Sequence, residues 1–309
     1  MSVLMRWLTA IRPEDLQQFE TATEFMNMKK KALLLFPFTL LAAACSEDSD
    51  NSAALTPQQM YEKAGALLKP NAEHEQPDYA GAFRLLEQAA AADYVPAMLD
   101  LAGVYLEGSR DGSVSKDRAK AFQWYTRAAQ LGSTDALYYC GFILLEDKKT
   151  AEAVTYLQRA AQKGLPEAQY QLGRLLLAQN SPEALPLIRA AATSQRASIV
   201  AAASYTMGTV FQNGKLGVQK DMGQAVEWYL RSADAGDRRA QHLVGLMYLL
   251  GENLPADEKK GEAFLRLSAG QDYLPAIDAL VRYLFDTDAD THAEEIRAWS
   301  ERLQKLQKR

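Results

Sequence analysis

The sequence predicts an all-α chain: a solenoid of about seven antiparallel helix hairpins. Three observations predict it. A packing frame recurs, with a small residue at offset zero, an apolar residue at four, a small one at five and an apolar or aromatic one at eight. It starts at Ala97, Ala136, Ala168, Ala203, Ala240 and Ala276, with spacings of 39, 32, 35, 37 and 36 residues. Those offsets lie on one face of a helix, and a period of this size marks a stack of helical hairpins. The chain also writes nearly the same letters twice, FQWYTRAAQLG at 122–132 and VEWYLRSADAG at 226–236. Finally, its apolar content leans on Ala and Leu, which favour helix.

Each element follows from the frame. The frame itself is the packing stripe of a first helix, helix A. In the two fullest copies Gly108, Gly112 and Val114, or Gly214, Gly217 and Val218, follow helix A. Glycines there permit the positive φ of a turn. Asp117 and Asp221 then stand where a side chain caps a second helix, helix B. Trp124-Tyr125 and Trp228-Tyr229 are expected to pack on neighbouring hairpins, and alanines to let helices approach. Gly132 and Gly236 end helix B. The copies from Ala136, Ala168 and Ala240 are degenerate. Residues 79–97 echo 258–276, so a first hairpin is expected at roughly 57–93. Its opening Thr56-Pro57-Gln58-Gln59 reads as a cap, a proline at the first helical position and a Gln that closes a capping box. The last helix, within IRAWSERLQKLQKR, has the polar outer face of a terminal cap.

The recurrent order G-x-x-G-V-x-x-D, A-x-x-W-Y, A-x-x-G resembles the Sel-one-like repeat, a relative of the tetratricopeptide repeat. The resemblance covers 57–309 and implies a right-handed superhelical solenoid, a non-enzymatic scaffold for protein partners without a small-molecule cofactor. In tetratricopeptide-like solenoids certain helix A positions line the concave groove. Carried onto this frame they are roughly offsets 2, 6 and 9. Offset 2 places Tyr138, Tyr170, Tyr205 and His242 there, and offset 6 places Phe142, Arg174 and Arg282. Tyr joins apolar area to a hydroxyl and suits binding surfaces, and Arg suits acidic groups.

The front of the chain reads as an address. Residues 26–44 combine the basic run Lys29, Lys30, Lys31 with an apolar stretch of signal-peptide length, too short to span a membrane. Leu41-Ala42-Ala43-Ala44-Cys45 resembles a bacterial lipobox, which implies lipidation of Cys45. Several acyl chains hold a protein to a membrane lastingly, where one does not. Ser46 at the next position implies an outer-membrane lipoprotein facing the periplasm. Residues 1–25 precede the basic run and fit no signal, so translation is expected to begin at Met28 or Met26. Residues 45–56 read as a flexible, acidic tether.

Composition narrows the chemistry. A net charge of −5 without a basic block argues against nucleic acid. Cys45 and Cys140 are too few for a zinc site or a disulfide framework. Cys140 falls in the packing frame and reads as a small buried hydrophobe. Ser113-Val114-Ser115-Lys116 and Ser49-Asp50-Asn51 spell fragments of the penicillin-interacting serine enzymes. They stand in reverse order, and no K-T-G follows. No nucleophile–base pair or metal cluster emerges, and the other carboxylates are expected to face solvent. A cell-wall binding or hydrolase-related role is the alternative to a scaffold.

Overall fold

A computed structural model describes residues 55–69 and 77–308. Among them are fourteen α-helices and no strand. They fall into two compact units, one running through Leu165 and the other from Pro166 on. The first unit holds three hairpins: α1 (Pro57–Leu67) with α2 (Tyr79–Ala91), α3 (Val95–Glu107) with α4 (Arg118–Gln130), and α5 (Thr134–Glu146) with α6 (Thr150–Gln162). The second holds four: α7 (Pro166–Ala178) with α8 (Ala184–Ala192), α9 (Ala197–Asn213) with α10 (Met222–Asp234), α11 (Arg238–Leu250) with α12 (Glu258–Gly270), and α13 (Leu274–Asp288) with α14 (Ala293–Gln307). Odd-numbered helices are helix A and even-numbered ones helix B.

Local chemistry sets the helix ends. Thr56 and Gln59 form the expected capping box, each side chain meeting the other's backbone N–H at 3.2 and 2.9 Å. Asp117, Asp221 and Asp257 accept from the N–H groups of Lys120, Gln224 and Lys260, at 3.0, 2.9 and 3.1 Å. These bonds satisfy N–H groups that a helix start leaves without partners. After α2, α4, α6, α10 and α12 the chain turns through a residue at positive φ. Gly132 and Gly236 sit there at 96° and 97°, where glycine carries no steric penalty. Asp93 and Asp272 hold the same place after α2 and α12, at 61° and 55°. Both are tied down by an arginine of the next hairpin's helix B, as described below.

The frame is the core. Ala97, Ala136, Ala168, Ala203, Ala240 and Ala276 are all fully buried. The small residue at offset five has a specific partner. A Cβ on Gly208 would stand 2.6 Å from the ring of Tyr229; one on Gly173 would stand 2.6 Å from Ile188, and one on Gly141 2.8 Å from Leu157. Glycine on helix A is the seat into which helix B sets its large side chain. In the second hairpin Ala102 and Tyr125 are the corresponding pair, both buried.

The Trp-Tyr pairs, both members of which were expected to pack on neighbouring hairpins, divide their work. Tyr125 and Tyr229 are 1% exposed. Tyr125 stacks on Tyr139 of α5 at 4.8 Å, and Tyr229 leans on Tyr205 at 5.5 Å while its hydroxyl donates to Gln212 at 2.6 Å. Burial pushes the Tyr229 phenol up to about 12. Trp124 and Trp228 are only half-buried. Each lies beneath an arginine three residues on: Arg127 over Trp124 at 5.7 Å and Arg231 over Trp228 at 5.6 Å. Those arginines reach back to the C-terminal end of the preceding helix B. Arg127 donates to Asp93 at 2.7 Å and the Ala91 carbonyl at 3.3 Å, and Arg231 donates to the Ala192 carbonyl at 2.8 Å. The last hairpin repeats this: Arg302 lies over Trp299 at 5.3 Å and bonds Asp272 and the Gly270 carbonyl. A guanidinium there meets otherwise unsatisfied carbonyls and the negative end of the helix dipole. W-x-x-R is therefore a clasp between consecutive hairpins.

Two further expectations about polar groups meet the structure differently. Cys140 is fully buried, and burial pushes its thiol up to about 11, which suits a packing residue. The carboxylates do not all face solvent. Glu167 is buried and ion-paired with Arg196. Asp100, half-buried, accepts a hydrogen bond from Tyr61 at 2.9 Å. Burial raises its carboxyl from 3.8 to about 6, against the lowering effect of that bond. A carboxyl raised on folding holds its proton more tightly in the native state. Its contribution is therefore present below pH 4 and is lost as pH rises through about 6. Asp100→Asn keeps an acceptor for Tyr61 and removes the charge. It should stabilise the protein by about 1 kcal/mol at pH 7.5. Urea titrations at a series of pH values check this, the advantage shrinking toward pH 4.

Candidate functional site

The expected groove residues differ in what the fold leaves them free to do. In the first unit Tyr138 and Phe142 are each 4% exposed. Tyr138 meets Tyr139 edge-on at 5.6 Å, in the same aromatic group as Tyr125. Helix A here is apolar almost all round, so offsets 2 and 6 pack along with the frame. As open groove residues, these two are corrected.

In the second unit the same offsets stand nearer the surface. Tyr170 and Tyr205 are half-buried, and Arg174 is exposed. The Tyr170 hydroxyl shares a hydrogen bond of 3.2 Å with Thr206 of α9. Arg174, one turn along α7, stands over the Tyr170 ring at 5.8 Å. Tyr205 is covered by Arg239 of α11, whose guanidinium lies 4.1 Å from the ring centre. Stacking of this kind holds a cation on an aromatic face at modest cost. Asp237, the N-cap of α11, takes Arg239 Nε and Nη2 at 3.2 and 2.7 Å. Burial works against the charge on Arg239; the bonds and charge of Asp237 outweigh it, and Tyr205 and Tyr170 add to the effect. Three successive helices A thus bring Tyr170, Arg174, Tyr205 and Arg239 together.

His242 and Arg282 have other engagements. His242 is half-buried on α11, edge-on to Tyr273 at 5.6 Å, and burial holds its imidazole below the usual range. Arg282 is exposed and bonded at 3.0 Å to Asp278, one turn back on its own helix, and no contact joins it to Tyr170, Tyr205 or Arg239. The sequence reading missed Arg239 and Tyr273. For Arg239 the signal was the doubled Arg238-Arg239 just before the frame residue Ala240, a position the frame does not score.

The remaining chemistry is sparse. Ser113 to Lys116 lie in the loop between α3 and α4, where Ser113 bonds Asp111. Among the described residues no group of three His, Cys, Asp or Glu side chains could hold a metal ion. No described helix is long and apolar enough to cross a membrane. Cys45, the signal stretch and the expected start lie outside the described residues.

A family model for the Sel1 repeat matches residues 74–94, 95–133, 135–165, 166–180, 201–237 and 238–273, more than half of the chain. The chain belongs to the Sel1 repeat family. Its matched segments follow the hairpins, and the solenoid of helical hairpins is the family's fold. Among solved structures, a Sel1 repeat protein from Oxalobacter formigenes is 24% identical, with a TM-score of 0.67 over 79% of this chain and 99% of that one. The c5321 protein, a protective antigen of uropathogenic Escherichia coli with an SLR fold, is 23% identical. Its TM-score is 0.68, over 81% of this chain and 53% of that one, so the present chain spans about half its length. At these identities the likeness is one of fold. No curated protein matches the chain. Sel1 repeat proteins generally act as scaffolds for protein–protein interaction and are typically non-enzymatic.

Proposed function

We propose that this Sel1 repeat protein is a lipid-anchored interaction scaffold of the bacterial envelope, which receives a peptide or helix of another envelope protein on its helix A faces. The observation that carries the reading is the contrast between the two helices' aromatic residues. On helix B, Tyr125 and Tyr229 are consumed by packing and the tryptophans support clasps. On helix A of the second unit, Tyr170 and Tyr205 keep partial exposure beside arginines. Repeat folds suit this role, because stacking builds an extended surface while the repeated letters maintain the stack.

The address rests on residues 26–45. A basic run, an apolar run and a lipobox-like Leu-Ala-Ala-Ala-Cys support processing before Cys45 and acylation of its thiol and amino group. Ser46 supports an outer-membrane lipoprotein facing the periplasm, with 45–56 as its tether to the solenoid. Loss of labelled palmitate in Cys45→Ser checks the anchor. For the binding face, Tyr170→Ala/Tyr205→Ala should retain the wild-type circular dichroism spectrum and lose the protein's crosslinked partners in an envelope pull-down. A folded double variant with the wild-type set of partners would place the binding surface elsewhere.

A further inference from the structure

Helices A α3 and α5 differ from α7, α9 and α11 in charge as well as in exposure. In the first unit α3 and α5 carry Asp100, Glu107, Asp135 and Glu146 and no Lys or Arg. In the second, α7, α9 and α11 carry a single carboxylate, Glu167, against Arg174, Arg238 and Arg239. That carboxylate is buried and already paired with Arg196. Counting Asp237, the N-cap bound to Arg239, these three adjacent helices still carry more cations than carboxylates, whereas α13 sets Asp278, Asp286 and Asp288 against Arg282.

We infer that the α7–α9–α11 face takes an acidic, extended segment of a protein partner, with its carboxylates held by Arg174 and Arg239 and its backbone lying across Tyr170 and Tyr205. The inference rests on the scaffold reading above and names the chemistry of the partner. Arg174 is exposed and makes no ion pair with any described carboxylate. It is available to form one at an exposed site that stays accessible to salt. Asp237 occupies Nε and Nη2 of Arg239 and leaves Nη1. The stacked ring of Tyr205 and the clamp by Asp237 fix the plane of this guanidinium in advance. A donor already oriented loses less freedom on binding. Tyr170 is likewise steadied through its bond to Thr206. The rings give apolar area between the two cations, and this alternation matches a segment in which acidic and apolar side chains alternate. A basic segment would set its charges against both arginines, and an uncharged one would leave Arg174 without a partner.

The test uses the full chain in detergent and three fluorescein-labelled twelve-residue peptides with Leu at alternate positions and Glu, Gln or Lys at the others. The Glu peptide should bind best, and its affinity should fall as salt rises. Arg174→Glu lies on an exposed surface and should leave the thermal midpoint unchanged. It should weaken the Glu peptide about tenfold or more, the loss of one charge-assisted contact and its reversal, and improve the Lys peptide. Arg239→Gln should weaken the Glu peptide in the same direction, and Arg189→Gln, on the exposed side of α8, should not. If the Gln peptide binds as well as the Glu peptide, and Tyr170→Ala/Tyr205→Ala abolishes both, the scaffold surface stands and its acidic preference is overturned. If neither arginine nor tyrosine substitutions affect any peptide, both readings fall. Tight binding of heparin with no binding of the Glu peptide would assign the face to an anionic polymer and overturn the inference.

Discussion

Tyr229→Ala is expected to cost about 3–5 kcal/mol of folding stability, the range for emptying a large buried aromatic site. Trp228→Ala, one residue earlier, should cost about 1–2 kcal/mol for a partly buried ring and its stacked cation. The ordering is the informative part. Tyr229 is 1% exposed, seated against Gly208 and leaning on Tyr205. Trp228 is half-buried, and its identified role is to lie under Arg231 while that residue holds the Ala192 carbonyl. Tyr229→Phe isolates the hydroxyl, whose bond to Gln212 is worth about 1 kcal/mol. In a stack where each hairpin leans on its neighbours, loss of Tyr229 should first open α9 and α10. Hydrogen exchange of those two helices, with urea melts of the four proteins, checks both the size and the place of the effect. Equal losses at 228 and 229 would show that the tryptophan is core after all.

Gly208→Leu should be the most damaging change on helix A, at about 3 kcal/mol or more, the upper end of overpacking costs. Even a Cβ at 208 would stand 2.6 Å from two carbons of the Tyr229 ring. That ring is buried, so it cannot swing to solvent as a surface side chain would. The second hairpin gives the scale for a milder change. There Ala102 stands at the frame position of Gly208 and Tyr125 at that of Tyr229, and both are buried. Gly208→Ala is therefore expected near 1 kcal/mol, since a hairpin of this kind can settle with its helices slightly further apart. Gly208→Leu/Tyr229→Ala should recover stability over Gly208→Leu alone, because one removes the volume the other adds. Non-additivity of this sort marks residues in contact. The thermal midpoints of the single and double variants are the measurement.

The sequence made the stack legible because packing in a repeat is periodic. All six frame alanines, expected from the repeat to pack, are fully buried. The capping aspartates and the turn glycines were legible for the same reason: each solves a fixed backbone problem with few residue types. The clasp was not read, although W-x-x-R is written at 124–127, 228–231 and 299–302. Its acceptors lie 30 or more residues away and are mostly backbone carbonyls, which leave no letter in the sequence. Exposure along helix A was legible only in part. At offset 2, Tyr170 and Tyr205 are partly exposed, while Tyr138 at the same offset is buried. A helical offset gives direction around one helix; exposure depends on what the neighbouring helices bring. Arg239 lies outside the scored frame and reaches Tyr205 from the next helix A.

The central claim is that the repeated letters of helix B hold the stack together and that partners are received on helix A of the second unit. Site-specific photocrosslinking in the intact cell envelope tests it most directly. Benzoylphenylalanine placed in turn at Tyr170, Tyr205, Trp124 and Trp228 should give the same crosslinked partner from 170 and 205 and none from 124 or 228. Partner crosslinks from Trp124 and Trp228, with none from Tyr170 or Tyr205, would contradict it.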